Sequence, residues 1–271
     1  MRILVNLQHE GLIRVSGTDA QTFLQGQLTC DVRDLNDSEL SLGAYCNLKG
    51  RVIVLFKLFS HESGYYLQCP MALVDKALAK LKQHAMFSKV LLEDVSTAYA
   101  KIGMVGERVD IKTADVMVLA IPAGTGASGS SDAGIHERWE IIAPAALTDP
   151  LWDTLSHKGT TGEKAVIKTP AYWTLLNIRS GIPDITAETS EQFLPHYINL
   201  PALKAVSFSK GCYHGQEIIA RMQYKATIRK HMVYVLGELS HENETVVMSE
   251  VNDEGVRERL VIRDMDPIAG N

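Results

Sequence analysis

The chain has 271 residues, of which 46% are hydrophobic and 22% charged, and its formal net charge is −5. This composition is typical of a soluble globular protein large enough for two lobes, and the negative charge argues against a strongly cationic nucleic-acid binder. No apolar run approaches the roughly 18 residues that span a bilayer. The first seven residues are typical of a strand and lack the features of a signal peptide, so we expect a cytoplasmic protein.

A helix is predicted near the beginning of the chain, where Thr18 and Gln21 resemble a capping box. In this arrangement Thr18 is the N-cap residue and Gln21 reaches back to it. The helix would turn Phe23, Leu24 and Leu28 toward a core.

Strand and helix patterns then follow one another. Branched and aromatic side chains over 51–59 predict a largely buried strand, 61–64 supplies a turn, and 65–69 returns as a second strand. The stretch 71–86 has helical periodicity, with its lysines on the side that reaches water. The residues on its apolar face are Val74, Ala77, Leu78, Leu81 and Ala85.

The rest of the chain mixes helices and strands without strict alternation, which favours an α+β fold over a doubly wound sheet. The glycine-rich stretch 124–134 lacks the Gly-Lys-Ser/Thr ending of a P-loop, and we expect a surface loop there. Helices are predicted at 147–157, 170–179 and 216–222. Strands are predicted at 97–105, 115–121, 137–143, 232–239, 245–251 and 256–263.

The four cysteines, Cys30, Cys46, Cys69 and Cys212, form no CxxC pair, so a zinc ribbon or a thioredoxin-type dithiol is not expected. In a cytosolic protein they are reduced thiols. Cys46 and Cys69 have apolar, strand-like neighbours and are expected to be packing residues. Only Cys212 has neighbours that suggest chemistry.

The stretch 210–217, Lys-Gly-Cys-Tyr-His-Gly-Gln-Glu, is the most informative part of the sequence. Nearby cations and the free N–H groups of a helix N-terminus favour the reactive thiolate form of cysteine. Lys210 would supply the cation, and the helix predicted from Gln216 would supply the N–H groups. Gly211 and Gly215 permit backbone conformations that other residues avoid, or the close approach of a ligand. The alternative is a buried structural cysteine in a glycine-containing turn.

Several segments resemble the YgfZ family of folate-binding proteins, which are related to the T-protein (aminomethyltransferase) of the glycine cleavage system. The specific resemblance lies in 194–200 and 205–217, which contain Lys-Gly-Cys-Tyr-x-Gly-Gln-Glu. The segments 23–31 and 47–51 are similar to two further family segments, and the resemblance as a whole covers about residues 12–230.

The resemblance implies a T-protein-like α+β fold of several lobes around a central folate crevice. We expect residues 1–230 to form two interleaved lobes, divided near 45–50 and 140–145, and 231–271 to form a short C-terminal β region. This region is shorter than the C-terminal β-barrel of the family, which is one departure from the pattern.

A second departure concerns the folate site of the transferase. T-proteins typically carry Arg-Leu-Glu-Ala-Gly where this chain has Asn-Ile-Arg-Ser-Gly at 177–181. Arg179 would therefore replace a carboxylate of that site, which argues against aminomethyl transfer.

The cofactor that the resemblance implies is tetrahydrofolate or a one-carbon derivative. A pterin needs hydrogen-bonding groups in one plane, a glutamyl tail needs cations, and the aminobenzoyl ring needs an apolar or aromatic wall. An ordinary role is open to each candidate as well, since exposed Lys and Arg are usually solvated and a Trp at helical spacing suits a core. The candidates are Gln25 and Gln27 for the pterin, Lys49 and Arg51 for the tail, Phe193 or Trp173 for stacking, and Asn47 and Gln216 as further contacts.

The thiol of Cys212 has two possible roles, with Lys210 and Glu217 as its catalytic neighbours. It is expected to act either as a soft ligand for iron, with the other ligands coming from a bound protein or a second subunit, or as a nucleophile toward sulfur or a one-carbon unit. Glu217 is a candidate base, although the helix dipole alone explains a carboxylate in a first turn. His214 lies two residues from Cys212 and could contact the same metal, but metal sites need more ligands.

The leading hypothesis is an accessory protein that binds folate and supports the assembly or repair of iron–sulphur clusters and, through cluster enzymes, tRNA modification. Its expected partners are folate and iron–sulphur proteins or assembly factors, with no membrane. The enzyme alternative is a tetrahydrofolate-dependent aminomethyl- or methyltransferase. A third hypothesis is direct tRNA contact through a basic cluster, which a solvated helix face explains at least as well. That cluster consists of Arg221, Lys225, Arg229 and Lys230, with Tyr224 among them.

Overall fold

The computed structural model describes residues 2–62, 64–111, 113, 115–122, 124, 137–157, 164–239 and 243–264. The mixture of helices and strands confirms the predicted α+β class. The strands are β1 (Ile3–Asn6), β2 (Glu10–Ser16), β3 (Ser41–Cys46), β4 (Val52–His61), β5 (Gly64–Pro70), β6 (Leu91–Asp94), β7 (Tyr99–Val105), β8 (Met117–Ala120), β9 (Arg138–Pro144), β10 (Val166–Lys168), β11 (Lys230–Leu236), β12 (Thr245–Val251) and β13 (Arg257–Asp264). The α-helices are α1 (Ala20–Gln27), α2 (Val74–His84), α3 (Thr148–His157), α4 (Pro170–Ser180) and α5 (Gln216–Lys225).

Three sheets organise these elements. The first has the order β10-β1-β7-β9-β8, in which only the β1–β10 pair of the described strands is parallel. The second is antiparallel and has the order β3-β4-β5-β2-β6. The third, β11-β13-β12, is the C-terminal sheet.

The first two sheets are interleaved along the chain. The backbone leaves the first sheet between β1 and β2 and returns to it between β6 and β7. The predicted lobe divisions near 45–50 and 140–145 lie instead at the ends of β3 and β9. The division into lobes at those points stays a prediction.

Burial of the first sheet follows the alternation of side chains along its strands. Leu4 faces the core that α3 closes, where Leu151 and Leu155 pack. Ile3 and Val5 face the opposite side, where the core includes Trp173 of α4. A separate core joins the two five-stranded sheets through residues of β2, β4, β5, β8 and β9. The largest core lies under the second sheet and takes in α1, α2 and parts of 182–206.

The predicted elements are largely confirmed, and the boundaries differ by a few residues. The helix predicted at 71–86 is a short 3₁₀ turn over Met71–Leu73 followed by α2, and it buries Val74, Ala77, Leu78 and Leu81 as expected, whereas Ala85 lies just beyond it and is half-buried. Strands β2, β6 and β10 were not predicted, and β3 was indicated only by the strand-like neighbours of Cys46. The glycine-rich stretch 124–134 lies outside the described residues except for Gly124.

The predicted capping box is wrong. The N-cap residue of α1 is Asp19, not Thr18, and no side chain caps the helix. The Asp19 carboxylate instead accepts a hydrogen bond of 2.8 Å from the backbone N–H of Lys89, so a long-range contact replaces the local one. The predicted burial of Phe23, Leu24 and Leu28 is confirmed.

Candidate functional site

The loop that carries Cys212 is fastened to the end of α1 by Lys210. The Lys210 side chain is buried, and its Nζ donates to the carbonyl oxygens of Leu28 at 2.7 Å and of Cys30 at 2.6 Å. Burial lowers the pKa of Lys210 to about 8, against the opposing influence of Cys30 and Asp31. The ammonium expected to face the thiol is therefore engaged in the interior, where it acts as a clamp.

A glycine determines how the loop enters α5. Gly215 has φ of 82°, and a Cβ at this position would lie 2.6 Å from the carbonyl oxygen of Asn47. Only glycine combines that conformation with so close an approach. Gly211 has no such requirement, since its φ is not positive and a Cβ there would meet no atom within 4 Å.

Cys212 is exposed, whereas Cys30, Cys46 and Cys69 are buried. Burial raises the pKa of Cys30 to about 12 and also raises the pKa values of Cys46 and Cys69. The packing role predicted for Cys46 and Cys69 agrees with this burial. Glu217 lies exposed in the first turn of α5. Of the four thiols, only that of Cys212 can meet a partner molecule without unfolding.

His214 connects the loop to the second sheet. Its Nδ1 lies 2.8 Å from the carbonyl oxygen of Cys46, and its ring stacks on Tyr45 at a centroid distance of 5.6 Å. The ring of His84 lies 5.0 Å away. Burial lowers the pKa of His84, and the neighbouring His214 and Lys80 lower it further.

Two of the predicted folate contacts, Gln25 and Gln27, flank Gly26, whose carbonyl oxygen accepts from the His214 N–H at 3.0 Å. Gln25 is engaged at both ends, since its Nε2 donates to Asp31 at 2.9 Å and its Oε1 accepts from the N–H of Val32 at 2.8 Å. Gln27 is half-buried, and its Oε1 is buried without a hydrogen-bond partner among the described residues. Gln216 begins α5 and is half-buried.

The turn between β3 and β4 supplies the other polar candidates. Asn47 Oδ1 accepts hydrogen bonds from the N–H groups of Lys49 and Arg51, and its Nδ2 donates to Glu191 at 2.9 Å. The Arg51 guanidinium donates to the carbonyl oxygen of Gln192, and the Lys49 side chain is exposed. Among these residues, Lys49 is the cation most open to an anionic ligand.

The two aromatic candidates lie in separate cores. Trp173 packs on the first sheet, where a Cβ at Gly103 would come within 2.9 Å of its ring. The Arg138 guanidinium lies over the same ring at 5.6 Å. Phe193 is buried in the largest core. The structure therefore does not bring Trp173 and Phe193 together with the polar candidates on one exposed wall.

Sequence reasoning missed a polar cleft between the second sheet and the end of α4. Its polar lining consists of Glu10, Lys57, Gln68, Asn177 and Asp184. The cleft is narrow, with room for about one water molecule at most. The signal was present in the sequence, because Lys57 and Gln68 interrupt strands that are otherwise apolar.

Charges in this cleft are closely paired. Lys57 Nζ lies 3.1 Å from Glu10 and 2.8 Å from the fully buried Glu140. Burial disfavours the ammonium, but the two carboxylates outweigh that effect and raise the pKa of Lys57. Burial raises the pKa of Asp184 to about 7, reinforced by Glu10 and opposed by Lys57. Gln68 donates to Glu140 at 2.6 Å, while its own Oε1 is buried without a partner among the described residues.

Arg179, predicted to stand where T-proteins have a carboxylate, binds the C-terminal sheet. Its Nε and Nη2 donate to Glu258 at 2.8 and 2.6 Å. Tyr234 and Asn252 also donate to Glu258, each at 3.0 Å. Burial opposes the charge of Glu258, but these hydrogen bonds lower its pKa overall. Arg179 thus joins α4 to β13.

The fold is that of an aminomethyltransferase T. The glycine cleavage system aminomethyltransferase T from Bartonella henselae matches with a TM-score of 0.70 over 97% of this chain and 78% of that protein, at 12% sequence identity. At this identity the match shows the fold alone. The structure is therefore a T-protein-like α+β protein in which one loop presents an exposed cysteine.

Sequence relatives identify the family within that fold. The chain is 34% identical over 240 residues to the tRNA-modifying protein YgfZ of Photobacterium profundum. The aligned residues make up 87% of this chain and 70% of the relative. It is also 34% identical over 233 residues to the protein of the same name from Vibrio atlanticus, covering 84% and 68%. No protein-family model matches the chain. The chain belongs to the YgfZ family, which confirms the resemblance seen in its cysteine segment.

None of the helices that the structure describes has the length and apolar character needed to span a membrane.

Proposed function

We propose that the chain binds tetrahydrofolate or a one-carbon derivative and supports the assembly or repair of iron–sulphur clusters and, through cluster enzymes, tRNA modification. Cys212 is the functional thiol. The single observation that carries this proposal is that Cys212 is exposed while the other three cysteines are buried. The relatives are named tRNA-modifying proteins. The chain acts as an accessory protein rather than as an aminomethyltransferase with turnover of its own.

The position of Cys212 suits a thiol that serves a partner. A single cysteine cannot hold an iron–sulphur cluster, which requires several thiolate or imidazole ligands. The remaining ligands would come from a bound iron–sulphur protein or assembly factor. The alternative role, attack on sulfur or on a one-carbon unit, needs the same exposure. Both roles require a thiol on the surface of a firmly held loop.

The polar cleft has the chemistry that a pterin requires. A pterin presents ring N–H and amino donors beside acceptors, and the cleft offers carboxylates, an amide and an ammonium. The buried Gln68 Oε1 without a partner in the described chain and the Asp184 carboxyl are the groups that would bind such donors. Because the cleft is narrow, side chains at its mouth would have to move to admit a bicyclic ring. Lys49 would be available to the glutamyl tail of a folate bound nearer to the cysteine loop.

The six polar residues predicted as folate contacts remain candidates for this ligand, whereas the buried Trp173 and Phe193 lie in separate cores. The unpartnered Gln27 Oε1 favours a polar ligand beside the loop, whereas Gln25 and Asn47 already bind protein groups. A folate thus has two candidate binding positions, one beside Gln27 and one beside Asp184. Variants at these two residues distinguish the two positions.

The transferase alternative draws on the shared aminomethyltransferase T fold. The Arg179–Glu258 pair speaks against it, because a guanidinium engaged with the C-terminal sheet cannot replace a substrate-binding carboxylate. Folate-dependent release of a one-carbon unit from a donor substrate, measured with purified protein, would favour the transferase.

Direct tRNA contact is supported only by the exposed cations of α5 and the segment after it. Arg221, Lys225 and Arg229 are exposed, and Tyr224 is 69% exposed with its ring against Phe208. Cations interleaved with an aromatic ring suit single-stranded nucleic acid. Affinity for tRNA that falls steeply with salt and is lost in Lys225→Ala and Arg229→Ala variants would favour this contact.

The test of folate binding is calorimetric titration with tetrahydrofolate. Wild type and Cys212→Ser are expected to bind alike, because the thiol is separate from the cleft. Asp184→Asn should weaken binding if the cleft holds the pterin, and Gln27→Ala if the loop does. Lys204→Ala, at an exposed lysine elsewhere, is the matched control. Absence of binding by wild type would refute the folate proposal.

The test of the thiol is the activity of an iron–sulphur tRNA-modifying enzyme in cells that depend on this chain. Cys212→Ser should abolish that support while the melting temperature stays within about 2 °C of wild type, because an exposed side chain contributes little to stability. Full support by Cys212→Ser would refute a functional thiol. A large loss of stability would instead indicate a packing role.

A further inference from the structure

His61, at the end of β4, is a half-buried residue whose imidazole has no explained partner. Both of its ring nitrogens are shielded from solvent, and neither finds a hydrogen-bond partner in the part of the chain that the structure describes. A buried donor or acceptor without a partner costs about 1–3 kcal/mol. A ligand that bound a ring nitrogen of His61 would therefore remove this cost in free energy.

Two carboxylates from different parts of the fold lie near this imidazole. Glu62 follows His61 at the tip of the β4–β5 hairpin, and Asp115 precedes β8. One ligand atom from each of the three residues lies within 4.8 Å of the others, and both acidic residues are exposed. We propose that His61, Glu62 and Asp115 form a divalent-cation site of the zinc type. This site is separate from the cysteine loop and does not rest on the proposed function.

The donor set selects the class of ion. Imidazole nitrogen with carboxylate oxygen suits Zn²⁺ and neighbouring transition-metal ions, whereas Mg²⁺ and Ca²⁺ prefer oxygen alone. A tetrahedral Zn²⁺ with bonds of about 2.0–2.1 Å separates its ligand atoms by roughly 3.4 Å. The exposed Glu62 and Asp115 side chains can close the remaining distance by rotation, and water would occupy the fourth position.

The site would fasten the two five-stranded sheets to each other. His61 and Glu62 belong to the hairpin of the second sheet, and Asp115 leads into an edge strand of the first. The backbone already joins the sheets nearby, where Leu40 N–H donates to Ala120 and Ala120 N–H donates to Ser38. Two carboxylates neutralise a dication, so the bound ion would add a cross-link without a net local charge.

The experiment titrates ZnCl₂ into full-length Cys212→Ser protein, in which the exposed thiol cannot capture the metal. We expect one bound ion per chain and a rise in melting temperature of roughly 5 °C at free Zn²⁺ about 100 times the Kd. His61→Ala and Asp115→Asn in the same background should weaken binding by more than roughly tenfold. His9→Ala, which removes an exposed histidine outside the cluster, should leave it unchanged.

The spectrum of bound Co²⁺ provides an independent readout. Visible ligand-field bands that disappear in His61→Ala would identify the imidazole as a ligand. Unaltered Zn²⁺ affinity in both His61→Ala and Asp115→Asn would overturn the proposal, and so would the absence of a stoichiometric site in the Cys212→Ser parent.

Discussion

Replacing Arg179 with glutamine should weaken the attachment of the C-terminal sheet while leaving folate binding unchanged. Arg179 donates two hydrogen bonds to Glu258, which is 1% exposed. Removing one partner of a buried ion pair typically costs about 3–5 kcal/mol. Arg179 is 35% exposed, so solvent screens part of the interaction, and Tyr234 and Asn252 still donate to Glu258. We therefore expect a loss of about 2 kcal/mol in the free energy of unfolding.

Replacing Glu258, the other member of the ion pair, should be less harmful. Glu258→Gln leaves a guanidinium that can reach water, whereas Arg179→Gln leaves a buried carboxylate without its cation. The double variant should be more stable than the sum of the single losses predicts, with a coupling energy of roughly 1 kcal/mol or more.

Urea unfolding and melting temperature measure these losses, and about 2 kcal/mol corresponds to roughly 4–8 °C for a chain of this size. Limited proteolysis should cleave the C-terminal sheet faster in Arg179→Gln than in wild type. Calorimetric titration with tetrahydrofolate completes the test. Reduced folate affinity with unchanged stability would refute the reasoning, because Arg179 would then face the ligand rather than Glu258.

Three further substitutions test the cleft and the loop. Lys57→Met should lower the free energy of unfolding by about 3–5 kcal/mol, because the buried carboxylates of Glu10 and Glu140 lose their shared cation; in urea unfolding, a loss no larger than that of the exposed control Lys49→Met would contradict this. The free energy of unfolding of Asp184→Asn relative to wild type should rise by roughly 2–4 kcal/mol between about pH 4 and about pH 7. The reason is that burial raises the pKa of Asp184 to about 7, so the folded wild type holds a proton that the unfolded chain releases and loses stability across that window; a pH-independent difference between unfolding curves at pH 4.5 and 8 would count against it. Lys210→Met should cost about 2–3 kcal/mol and speed the labelling of Cys212 by a thiol reagent, because two carbonyl groups lose a charged donor; unchanged stability and labelling rate would rule out the clamp.

The sequence predicts those parts of the fold that depend on local periodicity. The apolar face of α2 and the buried strand β4 could be located because burial imposes a repeat on neighbouring residues. The capping box at Thr18 failed because α1 begins one residue later, with Asp19 as its N-cap residue, and the Asp19 carboxylate binds a backbone N–H 70 positions away in the chain. Local patterns cannot reveal a partner that the fold brings in from such a distance.

The same limit explains the missed cleft. Lys57 is separated by 47 positions from Glu10, on another strand of its own sheet, and by 83 from Glu140, in the other sheet, so both pairings depend on long-range packing. A lysine within the apolar run 51–59 needs an anionic partner if its side chain is buried, but the sequence does not say which residue supplies it. The exposed thiol of Cys212 could be singled out from sequence because its motif is contiguous, whereas the inward direction of Lys210 could not.

The residues around the Cys212 thiol contact the protein body rather than the thiol itself. Lys210 binds the carbonyl groups after α1, His214 approaches the carbonyl group of Cys46, and Gly215 allows the backbone to pass Asn47. These contacts all direct the motif toward the protein body, and no side chain among the described residues forms a hydrogen bond with the Cys212 sulfur. In the accessory role proposed above, a proton acceptor or further metal ligands for this thiol would come from a bound molecule.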